Sequence, residues 1–317
     1  MDPQKIADAY EAYYTAPVNE TRKFVSYIDN ATRGFLENVA AGKKYPHTGA
    51  GDTETNAVAH VLPVVVARAG RPGFYEDAEA AIRVVQDNDD AVAFGMTFAH
   101  MLEHVILGGS VRDAIDTTQQ YLDSHWTTNP NFRWFAHGLS KMQEWQPRPP
   151  FEVTLELGQA CDFPFHVFTA PHFLLHNATS LSEPNSGITY VDAIRETIKI
   201  GGENADRGSF IGSLLAAAAA TPSDPAAAIP VEWRKNTTQY ESLHTVAEAL
   251  ADGKLLNAGT HTCAIVVRIK TNHINRIQWF CCLLLCEGVQ IGPHFSFPVV
   301  FEFGTIVDVF VHYCNRS

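Results

Sequence analysis

Apolar residues recur at helical spacing from the N-terminus to about residue 251, and no alternating strand pattern of useful length interrupts them. Asp2-Pro3 offers a cap with proline in the first turn, after which Ile6, Tyr10, Tyr13 and Tyr14 keep one face apolar. A second helix is expected from Thr21 to Ala41, with Phe24, Ile28, Phe35 and Val39 in phase and Gly42 as the stop. Further helices are expected at Thr55–Ala69, closed by Gly70, at Asp77–Gln86, and at Asp89–Leu107, ended by Gly108-Gly109. Ser110 caps the next, through about His125. Asn131–Met142, Phe151–Leu157, His166–Leu175, Thr189–Ile200, a segment from Asp206 through Ala220, and Thr238–Ala251 complete the series. The three valines within Val61–Ala67 favour a strand in isolation. The flanking helical phase and the Gly70 stop outweigh them. Leu214–Ala220 reads as a close-packed central helix, and the region as a compact all-α domain.

After Gly259 the pattern changes. Cys263–Ile269, Ile291–Val300 and Thr305–Tyr313 are rich in Val, Ile, Phe and His and read as short strands or as nothing stable. Residues 1–262 hold one cysteine, Cys161, whereas Cys263, Cys281, Cys282, Cys286 and Cys314 crowd the remainder. We therefore expect a helical domain over residues 1–258 and an unrelated tail over 259–317, such as an alternative exon or a read-through ending.

The chain has 317 residues with 46% hydrophobic content, enough for a substantial core. Its 35 acidic against 23 basic residues give a net charge of −12, which disfavours phosphate backbones and hence a nucleic-acid partner. Met1 to Tyr14 is polar and lacks an apolar h-region, so no signal peptide is expected. The apolar runs at Ile277–Cys286 and Phe295–Tyr313 are too short, or too interrupted by Pro298, Glu302 and Asp308, to span a bilayer. Neither membrane nor nucleic acid is an expected partner, and a reduced, cytoplasmic setting fits the cysteine usage of the first part. Sequons at Asn19, Asn30, Asn177, Asn236 and Asn315 are then chance.

Several patterns carry candidate chemistry. His100-Met101-Leu102-Glu103-His104 places two imidazoles on one helical face with a glutamate between, the spacing of a zinc peptidase, with Glu183 or Glu196 as a third ligand. The competing reading is a packing helix, and it is preferred. His172 and His176 repeat the spacing among Phe173, Leu174 and Leu175, where a half-buried helix explains them better. Cys281, Cys282, Cys286 and His294 lack finger or ribbon spacing, and Cys161 reads as a buried thiol rather than a nucleophile.

Four stretches share one resemblance. They are FVSYIDNATRGFLENVAAGKKYPHTGAGDTETNAVAHVLPVVVARAG at Phe24–Gly70, GQACDFP at Gly158–Pro164, YVDAIRETIKIGGENADRGSFIGSLL at Tyr190–Leu215, and IPVEW at Ile229–Trp233. Together they resemble the ADP-ribosylglycohydrolase superfamily, in its J1-crystallin and selenoprotein J-like branch, in the family's order over about residues 10–255. The resemblance implies an all-helical bundle around a cleft. Catalytic members there hold two magnesium ions and hydrolyse ADP-ribosyl linkages. Magnesium favours carboxylate, hydroxyl and water oxygens, two metals can position a water, and carboxylates assist at an oxocarbenium-like anomeric carbon.

By this resemblance Gly201 and Gly202 form the turn that receives diphosphate, Glu203 stands where catalytic members have Asp, Ala205 where many have a second Asp, and Asp206 where Ser or Thr is usual. Glu203 and Asp206 lie about one helical turn apart and are the expected magnesium ligands, for at most one ion; a capping pair at a helix start is the alternative. Asp52, Thr53 and Asn56, with Gly201, Gly202 and Asn204, are the expected contacts to ADP-ribose or an ADP-ribosylated substrate, while an Asp/Thr cap remains open for the first three. His60 and Pro63 are expected to pack. The family's Thr-Asp-Asp motif lies upstream of the first of these stretches, so the chain is expected to be N-terminally truncated, with half of the metal site missing. Two functions stay open: a magnesium-dependent ADP-ribosyl hydrolase, here impaired, and a non-catalytic crystallin-like or ADP-ribose-binding protein.

Overall fold

The computed structural model describes residues 1–16, 28–158, 165–181, 188–220, 228–237, 240–251, 299–301 and 305–307. Their backbone gathers into two compact units interleaved in sequence. Of the described residues, the first holds those within 1–52, 59–88 and 231–307, and the second those within 53–58 and 89–230. The expected boundary near residues 258/259, the Gly158–Pro164 loop beyond Gly158, Cys161 and all five tail cysteines lie outside the described residues.

In the first unit, α1 (Pro3–Thr15) starts where Asp2 accepts from the amides of Gln4 and Lys5, with Pro3 in its opening turn. Its Tyr10 and Tyr14 pack with Phe35 of α2 (Asn30–Ala40) and with Val84 and Val85 of α4 (Phe74–Val85). The Tyr10 ring meets Phe35 edge-on at 6.0 Å, and each large side chain so buried contributes roughly 1.5–3 kcal/mol. The expected helix from Thr21 begins instead at Asn30, since Asp29 caps it by accepting from the Thr32 amide at 2.7 Å and the Thr32 hydroxyl at 2.9 Å. Residues 21–27 lie outside the described set. A left-handed Gly42 closes α2 as expected.

The segment after α2 is stitched to the end of α4. Thr48 donates to the Val84 carbonyl at 2.9 Å, the Ala50 amide to Val85 at 2.8 Å, and Asn38 donates to the carbonyls of Thr48 and Gly49. A Cβ on Gly49 would overlap the Arg83 carbonyl and the Asp87 amide, so the close approach requires glycine. α3 (Ala57–Arg68) runs through Pro63 and the valine triplet as a helix. Its His60 meets the Tyr10 hydroxyl at 2.9 Å, the packing role expected for it. α12 (Val231–Asn236), which the periodicity did not reveal, is one and a half turns after Pro230, too short to show a repeat. α13 (Tyr240–Ala251) follows. In the tail, β1 (Val299–Phe301) pairs antiparallel with β2 (Thr305–Val307), matching Val300 to Ile306, where short strands were expected.

The second unit is built around α5 (Asp89–Ile106). Every residue from Ala91 to Ala99 is buried, so this helix is apolar all round. α6 (Val111–Ser124), started by Ser110, and α7 (Asn131–Glu144) pack on it and on each other. α8 (Pro150–Leu157), a 3-10 turn at Phe165–Phe168 and α9 (Thr169–Leu181) follow. α10 (Tyr190–Ile200), capped by Thr189, and α11 (Asn204–Ala219) form the last pair. Phe210 of α11 packs on Phe98 of α5, ring centroids 5.0 Å apart. The helix at the centre is therefore α5. In α11 the buried part is Asn204–Leu215, and the alanine run ends exposed at Ala218–Ala220, because small side chains at a helix end bury little area.

Candidate functional site

The start of α11 brings three buried polar side chains together, Glu203, Asn204 and Arg207. α10 ends in Gly201 and Gly202, with φ of 79° and 70°. Two successive left-handed residues reverse the chain within a turn that other residues adopt only under strain. Glu203 then serves as N-cap, accepting from the Ala205 amide at 3.2 Å. One turn on, Asp206 accepts from the Thr55 hydroxyl, 151 residues away in sequence. The 53–56 loop and the head of α11 thus meet within the second unit. The sequence pattern identified Thr53 and Asn56 in this loop but not Thr55, whose buried side chain makes the contact.

Arg207 organises the turn from inside. It is 2% exposed. Nε donates to the Thr197 hydroxyl at 2.9 Å, and Nη2 reaches the Thr197 carbonyl at 2.8 Å, the Gly201 carbonyl at 2.5 Å and the Asn204 side-chain oxygen at 2.6 Å. The orphan carbonyls at the end of α10 thereby find a cationic donor. Burial lowers the guanidinium's pKa to about 10, against the nearby Glu203, so it stays protonated at neutral pH. Asn204 is buried and holds Arg207 through its side-chain oxygen.

The electrostatics of Glu203 follow from this setting. Burial pushes its carboxyl up to about 8, the Asp206 carboxylate adds to the rise, the Ala205 amide and Arg207 oppose it, and Glu54 adds a smaller push. Two carboxylates and a hydroxyl are hard oxygen donors, and a cation beside them would offset the repulsion that burial amplifies. Among the described residues no three His, Cys, Asp or Glu side chains are grouped to hold a metal ion. The donor set fits a cation that takes two protein carboxylates and completes its shell from water or a ligand, and not a dedicated protein cage. Asp52 belongs to the first unit, where it accepts from Gln86 at 3.3 Å.

The histidine patterns have other partners. His100 Nδ1 and the Thr118 hydroxyl are 2.8 Å apart, and His104 Nδ1 lies 3.5 Å from that of Thr117. The His100 ring stacks on Tyr121 at 4.6 Å, and Tyr121 on His125 at 4.4 Å. Burial, then the proximity of His104 and His125, lowers His100 to about 4, so the imidazole is neutral. Glu196 pairs with Lys199, and Glu183 lies outside the described residues. His172 and His176 donate to the Trp145 and Gln146 carbonyls at the end of α7, at 3.0 and 2.8 Å. Both pairs join helices together.

A model of the ADP-ribosylglycohydrolase family matches residues 1–260. The chain belongs to the ADP-ribosylglycohydrolase family. Within it, the chain is 25% identical over 220 residues to crystallin J1A of Tripedalia cystophora, covering 68% of this chain. The match spans 59% of that relative's length. A solved ADP-ribosylglycohydrolase-related protein complex is similar at 19% identity over 80% of this chain and 74% of that one, with a TM-score of 0.49. The all-helical character expected of this family is that of α1–α13. Among the described residues no helix is long and apolar enough to cross a membrane.

Proposed function

We propose that this ADP-ribosylglycohydrolase family member is a magnesium-dependent hydrolase of an ADP-ribosyl linkage that works with one metal ion. The observation that carries the reading is the meeting of Thr55 with Asp206 beside the buried Glu203, an oxygen-donor cluster under electrostatic stress. Glu203 and Asp206 would hold the ion, and Thr55 would fix the Asp206 carboxylate. Magnesium there would polarise a phosphate or ribose oxygen and orient a water. The chain's own part is to bind and to position. Gly201 and Gly202 allow a diphosphate to approach the backbone and the first turn of α11, Thr53 and Asn56 offer polar contacts from the facing loop, and Asn204 supports Arg207. A reduced, cytoplasmic setting belongs to the same reading, supported by the single cysteine of residues 1–262.

Ala205 favours a second reading, a non-catalytic ADP-ribose-binding or structural protein like the crystallin relative, because that position offers no carboxylate. The test is incubation of the full chain with ADP-ribosylated peptides and magnesium, following free ADP-ribose, alongside titration with ADP-ribose itself. Release that needs magnesium and is lost in Asp206→Asn supports the hydrolase. Binding without release supports the second reading, and neither binding nor release overturns both.

A further inference from the structure

We infer that Arg207 is a positioning residue for the cation site: it clamps the Gly201–Gly202 turn so that Glu203 and Asp206 are presented together. The inference rests on the magnesium reading above. Two left-handed glycines in succession make the junction of α10 and α11 the most permissive backbone in this part of the chain. Glu203 is the next residue and Asp206 lies one turn beyond, so any loosening of the turn moves one carboxylate relative to the other. Arg207 removes that freedom. Its guanidinium grips Thr197 and Gly201 on the α10 side and Asn204 on the α11 side, a planar fork with three targets that lysine's single ammonium cannot match.

The arrangement does more than close a helix. Nη1, buried, has no hydrogen-bond partner among the described residues. A glycine turn closed for stability alone needs no buried cation with a donor left over, since burying such a charge is costly. What the cation adds is positive charge beside Glu203, which a bare glycine turn would lack. Ligand geometry fixed in advance by an outer partner is worth roughly 10- to 100-fold in metal affinity.

The test titrates magnesium chloride calorimetrically into the metal-free full chain and follows amide hydrogen exchange over residues 198–206. Arg207→Lys is expected to weaken magnesium binding about tenfold and to speed exchange in that segment. Thr197→Val, which removes one acceptor and leaves the charge, is expected to weaken it about threefold with a lowered melting temperature, since a buried donor of Arg207 loses its partner, and Thr197→Ser to restore wild-type affinity. If Arg207→Lys does not fold, the Thr197 pair decides. Wild-type magnesium affinity in folded Arg207→Lys or in Thr197→Val overturns the inference. If the wild-type chain takes up no magnesium, the metal reading falls, and exchange then decides the clamp by itself: faster exchange over 198–206 in Thr197→Val supports it, and unchanged exchange overturns it.

Discussion

Two groups of titratable side chains in the second unit look alike in sequence and differ in what surrounds them. His100 and His125 flank Tyr121, with His104 one turn beyond His100 on α5, and Glu203 and Asp206 open α11. The histidines have the better-known spacing. Yet each has a polar neighbour close at hand: the hydroxyls of Thr118 and Thr117 for the first two, and the Tyr121 carbonyl, 2.9 Å from Nδ1, for His125. Burial simply keeps His100 neutral. Around the carboxylates stand the Thr55 hydroxyl, the Ala205 amide and the nearby guanidinium, and burial, with the Asp206 charge adding to it, still raises Glu203. A binding site is better recognised by a carboxyl whose titration the fold displaces than by the interval between ligand-type residues.

The largest effect that could break this comparison comes from Arg207. Arg207→Ala strands several buried acceptors and is expected to cost about 3–5 kcal/mol, read from the urea midpoint; a loss under about 1 kcal/mol would mean that the turn holds itself. Next is Glu203→Gln. Because the folded Glu203 binds its proton more tightly than the ordinary value of 4.5, the stability it contributes is full below that pH and is lost as pH rises to about 8. In metal-free protein the substitution is expected to remove this slope and to stabilise the chain by on the order of 2–4 kcal/mol above pH 8. A wild-type slope in the variant would place the strain elsewhere.

His100 has the opposite sign. Its pKa is lowered from 6.5 to about 4, so its contribution is full above pH 6.5 and is lost as pH falls through that window. His100→Gln should cost about 1–2 kcal/mol at pH 7, flatten the acid limb, and leave magnesium uptake unchanged; loss of magnesium uptake would erase the distinction between the two groups. The smallest effect is expected from Thr55→Val, about 1 kcal/mol in thermal stability, with a few-fold weaker magnesium binding.

Much of the fold was legible because its cues are local. Asp2, Ser110 and Thr189 cap the helices that periodicity placed after them, and Gly42, Gly70 and Gly108 end others. Asp29 shows the limit, since an apolar phase continuing through Ile28 concealed a cap that starts α2 at Asn30. The alanine run misled for a related reason: helix propensity was read as burial, and the centre fell to α5. At the candidate site, Glu203, Asp206, Gly201 and Gly202 are contiguous and so could be read together. Thr55 could not, because no local pattern shows which of two threonines in a loop will reach across 151 residues. Arg207 follows them as one more charged residue, and only its four acceptors reveal a clamp.

The most direct measurement is calorimetric titration of magnesium chloride into the metal-free chain at pH 8, with Asp206→Asn and a His100→Gln/His104→Gln double variant in parallel. The account predicts one ion per wild-type chain, none in Asp206→Asn, and wild-type binding in the histidine variant. Undiminished binding in Asp206→Asn, or binding lost with the histidines, would contradict it.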